Sequence, residues 1–594
     1  MKPKNLPWPK QPARSGTVGL LRTACALRLL LLLLLTLPAV VQAQFRYTTN
    51  NGTITITGYA GPGGAVVIPD TINGLPVTRV GDYAFYIKSN LANDTIPSSV
   101  ISIGNRAFAY CTSLTAINVD ADSPTFVSVD GVLFDKSQTM LIQCPGGKTG
   151  NYTIPSSVTS IGDHAFFGCT SLVGVTISNS VTSIGLAAFY RCASLMSVTI
   201  PNSVASIGSL AFYSCTSLTS ATIGSGVTSI GGGAFQGCIS LASVTIPNSV
   251  ASIGGLVFEG CTSLAAITVD TDNPTYVSVD GVLFDKSQST LMQCPGGKNE
   301  SYAIPNSVTN IGEYAFSGCA NLTSVTIPSS VTSIGSLMFR GCTSLTTIAV
   351  DEDNSTFGSV DGVLCNKWRT KLIQWPWGKS ETYTIPNSIT NIGSAAFAGC
   401  ARLASVTIPG TVTTIGIDAF YGCSGLTSVA IPNSITVIGD STFVGCASLT
   451  SVTIGSGVTR IGFSAFSGCT SLKGVYFRGN APIAVPDLSG GDTAATVYYL
   501  PGTTGWGLAL GGRPTALWRL QFQPGDSSFG VRTNQFGFNI SWASGRVVVV
   551  EVCTNLAQPF WTPVGTNTLT DGSSYFSDPQ WTNHPARFYR LRSP

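Results

Sequence analysis

Apolar residues recur along this chain with a period of 23 residues. Each period reads L-x-x-V-x-I-P-x-S-V-x-x-I-G-x-x-A-F-x-G-C-x-x, and residues 197–250 carry two nearly identical copies. A fixed period of this length predicts a solenoid, because one coil alone cannot bury its apolar face and neighbouring coils must stack. A cysteine follows the phenylalanine three residues later in every copy except the first. The phenylalanines are Phe85, Phe108, Phe166, Phe189, Phe212, Phe235, Phe258, Phe316, Phe339, Phe397, Phe420, Phe443 and Phe466.

The same pattern predicts the elements of one coil, and a fold that is mostly β with short helical turns. In the coil that starts at Leu218, apolar alternation predicts a strand with Leu218 and Ile223 directed inward. Equivalent strands of successive coils would lie about 4.8 Å apart in one parallel sheet. A short helical turn is then expected to place Phe235 in the core and to end at Gly237, where glycine permits a positive φ.

The repeated phrase resembles the BspA-like leucine-rich repeats of bacterial surface and secreted proteins. The resemblance covers roughly residues 75–475, and the I-G-x-x-A-F-x-x-C part of the phrase carries it. It implies a leucine-rich-repeat solenoid, a secreted or cell-surface location, and binding to proteins such as host matrix components.

Three spacings between phenylalanines are 58 residues instead of 23 and hold an extra coil of 35 residues. These inserts, at 120–153, 270–303 and 351–384, each read strand, polar turn, strand. That pattern predicts a β-hairpin in place of the helical turn.

The third insert differs from the first two by three tryptophans. Trp368, Trp375 and Trp377 stand where the others have serine, cysteine and glycine. Large and small residues also exchange places, because Phe134 and Cys144 of the first insert correspond to Cys365 and Trp375 of the third. Close packing conserves volume, so the exchange predicts direct cross-strand contacts. The predicted pairs are Phe134 with Cys144, Phe284 with Cys294, and Cys365 with Trp375, with turns near Thr139, Ser289 and Thr370.

The repeats are expected to span residues 77–474, between regions that lack the phrase. Residues 44–76 alternate apolar and polar positions without the cysteine, as an N-terminal β cap would. After Cys469 the phrase decays, so residues 475–518 are expected to form a C-terminal cap or linker. Residues 519–594 predict a small β-sandwich-like domain.

Residues 1–43 predict a signal peptide. Six basic residues and no acid precede an apolar run that ends in Val41-Gln42-Ala43, which fits signal-peptidase cleavage. An uncleaved anchor is the alternative, but the run is short for a bilayer, and no later stretch of the mature chain could span a membrane. Cleavage would change the formal charge from +3 to about −3. A nucleic-acid partner would want a basic face, so none is expected.

Sixteen cysteines follow the signal peptide, and twelve of them share one phase of the repeat. An exported chain permits disulfides. Identical phase, however, makes the Cα–Cβ bonds parallel, whereas a disulfide needs converging ones. The sequence therefore predicts a column of buried, reduced thiols.

Signals for catalysis and for metals are weak. His164 lies at a variable, surface-type repeat position, far in sequence from His584, and no nucleophile-elbow or zinc-protease motif occurs. We expect no enzyme activity and no cofactor. Aspartate pairs could supply calcium ligands, although Asp-rich turns also bind their own backbone. These pairs are Asp120 and Asp122, Asp270 and Asp272, and Asp351 and Asp353.

Outward positions of the predicted strands form two ranks of hydroxyl side chains. Ser220 and Thr222 belong to one coil, and Ser243 and Thr245 belong to the next. Such ranks could meet a repeating ligand, although threonine also suits any exposed strand. Aromatic residues are almost absent from this face before Tyr476.

These features predict an exported, non-enzymatic solenoid that binds an extracellular macromolecule. The family resemblance implies that this ligand is a protein. Trp368 and Trp377, both expected to be largely exposed, and Tyr476 are candidate contacts, since aromatic anchors dominate interface energy. The alternative is carbohydrate or cell-wall binding through the hydroxyl ranks. Trp375 is expected in the core.

Overall fold

The computed structural model describes residues 44–594 except 380, 484, 486–487, 489–494, 524–526, 534, 544, 571, 584–585 and 594. The predicted signal peptide and His584 lie outside the described residues. The chain divides into two compact units, with unit 1 ending at Tyr276 and unit 2 beginning at Val277. Within the described part of the chain, no helix is long and apolar enough to cross a membrane.

Unit 1 consists of short strands. They are β1 (Phe45–Asn50), β2 (Thr53–Tyr59), β3 (Gly64–Val67), β4 (Thr71–Ile72), β5 (Leu75–Val80), β6 (Leu91–Ile96), β7 (Ser102–Ile103), β8 (Ala116–Val119), β9 (Phe126–Val129), β10 (Val132–Asp135), β11 (Met140–Gln143), β12 (Gly150–Thr153), β13 (Ser160–Ile161), β14 (Leu172–Thr176), β15 (Ser183–Ile184), β16 (Ser197–Ile200), β17 (Ser206–Ile207), β18 (Ser220–Ile223), β19 (Ser229–Ile230), β20 (Ser243–Ile246), β21 (Ser252–Ile253) and β22 (Ala266–Val269). The next strand, β23 (Tyr276–Val279), contains the boundary between the units.

Unit 2 continues with strands of the same lengths. They are β24 (Val282–Asp285), β25 (Thr290–Gln293), β26 (Glu300–Ala303), β27 (Asn310–Ile311), β28 (Leu322–Ile327), β29 (Ser333–Ile334), β30 (Thr347–Val350), β31 (Phe357–Val360), β32 (Val363–Asn366), β33 (Lys371–Gln374), β34 (Thr382–Thr384), β35 (Asn391–Ile392), β36 (Ser405–Thr407), β37 (Thr414–Ile415), β38 (Ser428–Ile431), β39 (Val437–Ile438), β40 (Ser451–Ile454), β41 (Arg460–Ile461), β42 (Gly474–Phe477), β43 (Thr496–Tyr499), β44 (Ala509–Leu510), β45 (Arg513–Leu517), β46 (Gln521–Gln523), β47 (Gly530–Arg532), β48 (Gln535–Ser541), β49 (Val547–Cys553), β50 (Thr562–Thr568), β51 (Ser573–Asp578) and β52 (Phe588–Arg592), with a 3₁₀ turn at Trp581–Asn583 before β52.

Each 23-residue coil contributes one strand to each of two parallel sheets. We call the sheets of longer strands, such as β12-β14-β16-β18-β20-β22, the strand ladder. The sheets of two-residue strands, such as β13-β15-β17-β19-β21, form the short ladder. In the coil of Leu218, Ala221 and Ile223 are buried while Ser220 and Thr222 face solvent. The predicted solenoid of stacked parallel coils is therefore confirmed.

The third side of each coil is a run of hydrogen-bonded turns without helix, where a short helical turn was expected. In all thirteen coils the residues two before and two after the conserved phenylalanine have positive φ, which interrupts helical hydrogen bonding. Alternate N–H groups then donate to the next coil at 2.7–2.9 Å: Leu210 to Gly232, Phe212 to Ala234, and Ser214 to Gln236. We call this third array the turn ladder.

Thiols satisfy the carbonyl groups of the turn ladder. Cys215 Sγ donates to Phe189 O at 3.1 Å, and Cys446 Sγ donates to Phe420 O at 3.2 Å, in each case to the preceding coil. Burial raises the pKa of Cys423 to about 12, so that thiol stays protonated. All twelve repeat cysteines are buried, which confirms the predicted column. Cysteine suits the position because it is small and carries an S–H donor.

Each insert holds three strands ahead of its strand-ladder strand, where a two-stranded hairpin was expected. In the first insert β9, β10 and β11 pair antiparallel in sequence, and β11 then pairs in parallel with β13 of the short ladder. In the third insert β31, β32, β33 and β35 repeat this order. The turn predicted near Thr139 lies between β10 and β11, at residues 136–139.

The predicted cross-strand pairs are wrong in register. Phe134 lies opposite Leu141, next to a β-bulge, and Cys144 comes after the end of β11. There the Cys144 N–H donates to Ala165 O at 2.7 Å, which is the bond that the conserved phenylalanines make in other coils. Cys144 therefore occupies the phenylalanine position of the turn ladder.

The other two predicted pairs fail for the same reason. Phe284 lies opposite Leu291, and Cys365 lies opposite Leu372. The exchange of large and small residues has another cause. The conserved phenylalanines of successive coils stack in a column, and an insert has no phenylalanine at that position. A large side chain from its strand or from its turn ladder must fill the gap.

Trp375 fills that gap in the third insert and lies in the core, as predicted. It is 1% exposed, its N–H donates to Ala396 O at 2.8 Å, and its ring centroid lies 5.7 Å from that of Phe397. Cys365, in the same core cluster, is correspondingly small. In the first insert the fully buried Phe134 supplies the bulk instead.

Beyond residue 474 the strand ladder continues before the sheets become antiparallel. Strands β42, β43 and β45 follow β40 in parallel. Residues 521–592 then form two antiparallel sheets, β46-β48-β47 with β51, and β50-β49-β52. Phe538, Trp542 and Val550 belong to a core cluster of this region that also includes Leu500.

Candidate functional site

The hydroxyl ranks of the strand ladder are exposed and in register. Ser220 lies opposite Ser243 on the neighbouring strand, and both side chains face solvent with Thr222 and Thr245. Thr245 Oγ1 lies 2.7 Å from Thr268 Oγ1, so part of the hydroxyl capacity is used between neighbours. The described strands β16, β18 and β20 therefore present regularly spaced hydroxyl groups and no outward aromatic ring.

At the C-terminal end of the same ladder, the two outward positions change chemistry. Gly474 lies opposite Ser451, and Tyr476 lies opposite Thr453. The Tyr476 ring leans over Gly474, where a Cβ atom would come within 2.7 Å of the ring. Glycine is therefore needed beside this tyrosine because no other side chain leaves room for the ring.

Tyr476 begins a cluster of three aromatic side chains. Tyr498 follows it in register on β43, with near-parallel rings whose centroids are 4.9 Å apart. The Trp518 ring lies 4.9 Å from Tyr476 on another side. Trp542 Nε1 donates to Trp518 O at 2.9 Å, which ties this cluster to the antiparallel sheets.

The cluster lines a cleft of about 850 Å³ between the strand ladder and the antiparallel sheets. We call it the C-terminal cleft; its walls include Thr453, Tyr476, Arg478, Tyr498, Trp518 and Arg519. Its described lining combines aromatic rings with hydroxyl, amide and guanidinium groups, and carries no acid. Such a lining suits the binding of a ligand through apolar contact and hydrogen bonds.

Arg478 is the best-placed polar group of the cleft. Its side chain is half-buried, and its Nε has no hydrogen-bond partner among the described residues. Burial, and to a lesser degree the neighbouring Arg546, lower the pKa of its guanidinium. A ligand with an acceptor atom in the cleft would satisfy this donor. Burial also raises the pKa of Tyr476, so its hydroxyl stays neutral and available as a donor.

The structure separates the candidate tryptophans. Trp368 is 76% exposed, as expected. Trp377 was expected to be largely exposed, and this is wrong: it is half-buried and packs against the core of unit 2. Its ring covers Gly399, which has the same turn-ladder position one coil later. Trp377 therefore has a packing role that glycine-containing inserts do not need.

The aspartate pairs bind their own turns. Asp120, Asp270 and Asp351 each accept a hydrogen bond from the backbone N–H two residues later, at 2.9–3.1 Å. Across the described ranges, no three acidic, histidine or cysteine side chains are grouped as metal ligands.

Two buried titratable groups lie at positions that the repeat pattern did not single out. His164 is 6% exposed, although a surface position was expected, and burial lowers its pKa. It packs against the Phe167 ring. Asp94 is fully buried between Val66 and Ile117 on the neighbouring strands, and burial raises its pKa to about 8.

Sequence reasoning placed Tyr476 and the hydroxyl residues Ser451 and Thr453 on this face, and it missed Arg478, Tyr498 and Trp518. The missing signal was the segment GVYF at 474–477, which replaces the usual SVTI. Glycine and tyrosine in place of serine and threonine at these two outward positions mark the end of the hydroxyl ranks.

A family model described as BspA type leucine rich repeat region matches the chain in six copies, over residues 78–147, 145–265, 293–361 and 377–483. No curated protein matches the chain in sequence.

Solved structures of leucine-rich repeat proteins are also similar to this chain. A leucine rich cell surface protein from Faecalibacterium prausnitzii is 29% identical over 74% of this chain and 94% of its own, with a TM-score of 0.34. A leucine-rich repeat protein from Bacteroides ovatus is 24% identical over 73% of this chain and 93% of its own, with a TM-score of 0.29. The leucine rich repeat protein of T. pallidum is 34% identical over 37% of this chain and 88% of its own, with a TM-score of 0.23.

Proposed function

Because the chain belongs to the family of BspA type leucine-rich repeat proteins, we propose that it is an exported, non-enzymatic binding protein whose ligand site is the C-terminal cleft. The observation that carries the proposal is the replacement of the hydroxyl ranks by Gly474, Tyr476 and Tyr498 where Trp518 closes a cleft. On the preceding strands of the ladder the same positions hold small or polar residues, mostly serine and threonine, and no aromatic ring.

An extracellular protein is the ligand that this lining favours. Tyrosine, tryptophan and arginine are the residues that most often dominate the binding energy of protein interfaces. The cleft brings all three types together, and Arg478 Nε has no hydrogen-bond partner in the part of the chain that the structure describes. Polar groups at the edge, such as Gln521 and Asn433, would fix the orientation of a bound segment.

A glycan is the second candidate, because the hydroxyl ranks lead in register into the aromatic cluster. Thr453, Tyr476 and Tyr498 occupy one rank on successive strands. A sugar chain could contact both the hydroxyl groups and the rings.

A binding panel distinguishes the two candidates. The mature chain is applied to immobilised extracellular-matrix proteins and to a glycan array, in parallel with Trp518→Ala. We expect a matrix protein to be retained by the wild type and weakened at least tenfold by the substitution, as for a hot-spot residue. Retention of glycans alone would favour the second candidate, and binding unaffected by Trp518→Ala would reject the cleft as the site.

A further inference from the structure

The turn of the third insert has the same scaffold as the turns of the first two. Gln138, Gln288 and Arg369 have φ of 55°, 58° and 56° at equivalent positions. Asp135 and Asp285 each accept a hydrogen bond at 2.6 Å from the backbone N–H five residues later. Asn366 accepts the equivalent bond from Lys371 at 2.8 Å. One backbone conformation therefore carries three different sequences.

The chemistry on this scaffold changes only in the third insert. The turns DKSQTM at 135–140 and DKSQST at 285–290 have a formal charge of zero, whereas NKWRTK at 366–371 has +3. The change removes an aspartate and adds Arg369 and Lys371 beside Trp368. We call residues 366–371 the basic turn.

Trp368 contributes nothing visible to the packing of this turn. It is 76% exposed, and among the described residues no ring or cation packs on its indole. Serine occupies the position in the other two turns with the same backbone, so the scaffold does not need it. An exposed indole that folding does not require points to a contact outside the chain.

Most polar groups of the basic turn already form hydrogen bonds within the chain. Asn366 Oδ1 accepts from Thr370 N and Lys371 N, and Asn366 Nδ2 donates to Thr370 Oγ1 at 2.9 Å. Lys367 Nζ donates to the backbone carbonyl of Glu352, its acidic neighbour, at 2.6 Å. What remains for a partner is one open indole ring and the cations of Arg369 and Lys371, both exposed.

We propose that the basic turn binds the headgroup region of a lipid surface that carries anionic headgroups. Indole rings favour the polar–apolar boundary of a bilayer, and basic side chains are attracted to anionic headgroups. A sugar site would place hydrogen-bonding groups around the ring, and here those groups hold the turn. The contact uses no residue of the C-terminal cleft and does not depend on the ligand proposed for it.

Vesicle co-sedimentation of the mature chain tests the proposal. The vesicles contain either phosphatidylcholine alone or phosphatidylcholine with phosphatidylglycerol. The wild type should bind the anionic vesicles and show a blue shift of tryptophan fluorescence. Replacing the basic turn by the sequence of the second insert, with N366D, W368S, R369Q, T370S and K371T, should weaken binding roughly 100-fold. Each unit charge near such a surface contributes roughly fivefold.

Two further variants keep the outcome interpretable. The graft should leave thermal unfolding unchanged, because the same sequence forms this turn at 285–290. Trp368→Ser alone retains the charge of +3 and should remove the blue shift. The reverse graft at the second insert, with D285N, S287W, Q288R, S289T and T290K, should strengthen binding to the anionic vesicles.

The proposal fails if the wild type binds neutral and anionic vesicles equally, or if the graft binds like the wild type. Retention on an acidic polysaccharide resin that the graft abolishes, without vesicle binding by the wild type, would assign the basic turn to a glycan and overturn it too.

Discussion

The strand ladder presents the same two outward positions in its middle coils and at its C-terminal end, with different chemistry. Ser220 and Thr222 carry exposed hydroxyl groups. Gly474 and Tyr476 occupy these positions at the end, and the Tyr476 ring lines a cleft. The inward residue between them stays apolar in both places, as Ala221 and Val475. The chain therefore specialises through outward residues while its backbone and core stay constant.

The largest expected effect comes from an inward position that breaks this rule. Asp94 is fully buried at a position where other coils have an apolar residue, and its pKa is raised to about 8 by burial. In the unfolded chain an aspartate has a pKa near 3.9. Below about pH 4 the carboxyl is protonated in both states, and between pH 4 and pH 8 only the unfolded chain ionises. Folding stability is therefore lost as pH rises through this window.

Replacing this residue by valine should remove the loss. The wild type should lose about 4 kcal/mol of unfolding free energy from pH 5 to pH 8 relative to Asp94→Val. Urea unfolding at both pH values measures the difference in unfolding free energy, with hydrogen exchange of residues 44–119 as the readout. A parallel pH dependence of the two proteins would show that Asp94 is ionised when folded.

A second prediction compares the stability contributions of a buried and an exposed tryptophan in the third insert. Trp375→Ala should cost roughly 3–5 kcal/mol of unfolding free energy, because the side chain is fully buried in the phenylalanine column. Trp368→Ala is the matched control and should change stability by less than about 0.5 kcal/mol, since its side chain is exposed. Urea unfolding of both variants makes the comparison, and equal losses would contradict the assignment of core and surface.

Gly474→Ser sharpens the comparison directly, because it restores the residue of the other coils. The new Cβ atom would crowd the Tyr476 ring, so we expect a cost of about 1 kcal/mol and a displaced ring. The matched control is Ser451→Gly on the neighbouring strand, which removes a side chain and adds no Cβ atom beside the ring. Thermal unfolding with near-ultraviolet circular dichroism reports both effects. Unchanged aromatic signal in Gly474→Ser would show that the ring does not depend on glycine.

The smallest effect is expected on the hydroxyl ranks. Ser220→Ala combined with Thr222→Ala should change unfolding free energy by less than about 0.5 kcal/mol per site, because both side chains are exposed. It should also leave ligand binding unchanged. A large loss of ligand affinity in this variant would move the site from the cleft to the ranks.

The solenoid could be predicted from the sequence because its spacing is fixed by stacking. Leu218, Ile223 and Phe235 are buried as the period requires. The turn ladder could not be predicted, since positive φ at leucine or arginine, as at Leu210 and Arg191, depends on hydrogen bonds to the next coil. No local propensity favours that conformation for these residues.

The strand registers and the candidate site were also hard to predict from the sequence, because they too depend on contacts outside the local segment. The size exchange between Phe134 and Cys144 correctly indicated shared space, but the β-bulge beside Phe134 changed which residues oppose each other. The cleft also needed long-range information. Trp518 reaches Tyr476 only through the fold of the intervening chain, and no spacing in the sequence relates the two residues.

The central claim is that ligand binding resides in the aromatic end of the strand ladder and not in its hydroxyl ranks. The most direct measurement compares the affinity of one ligand from the binding panel for two variants, Tyr476→Thr with Tyr498→Thr, and Ser220→Ala with Thr222→Ala. The first restores the residue of the ranks at the cleft and should weaken binding roughly 10- to 100-fold. The second should bind like the wild type. Full affinity in the first variant, with loss in the second, would contradict the claim.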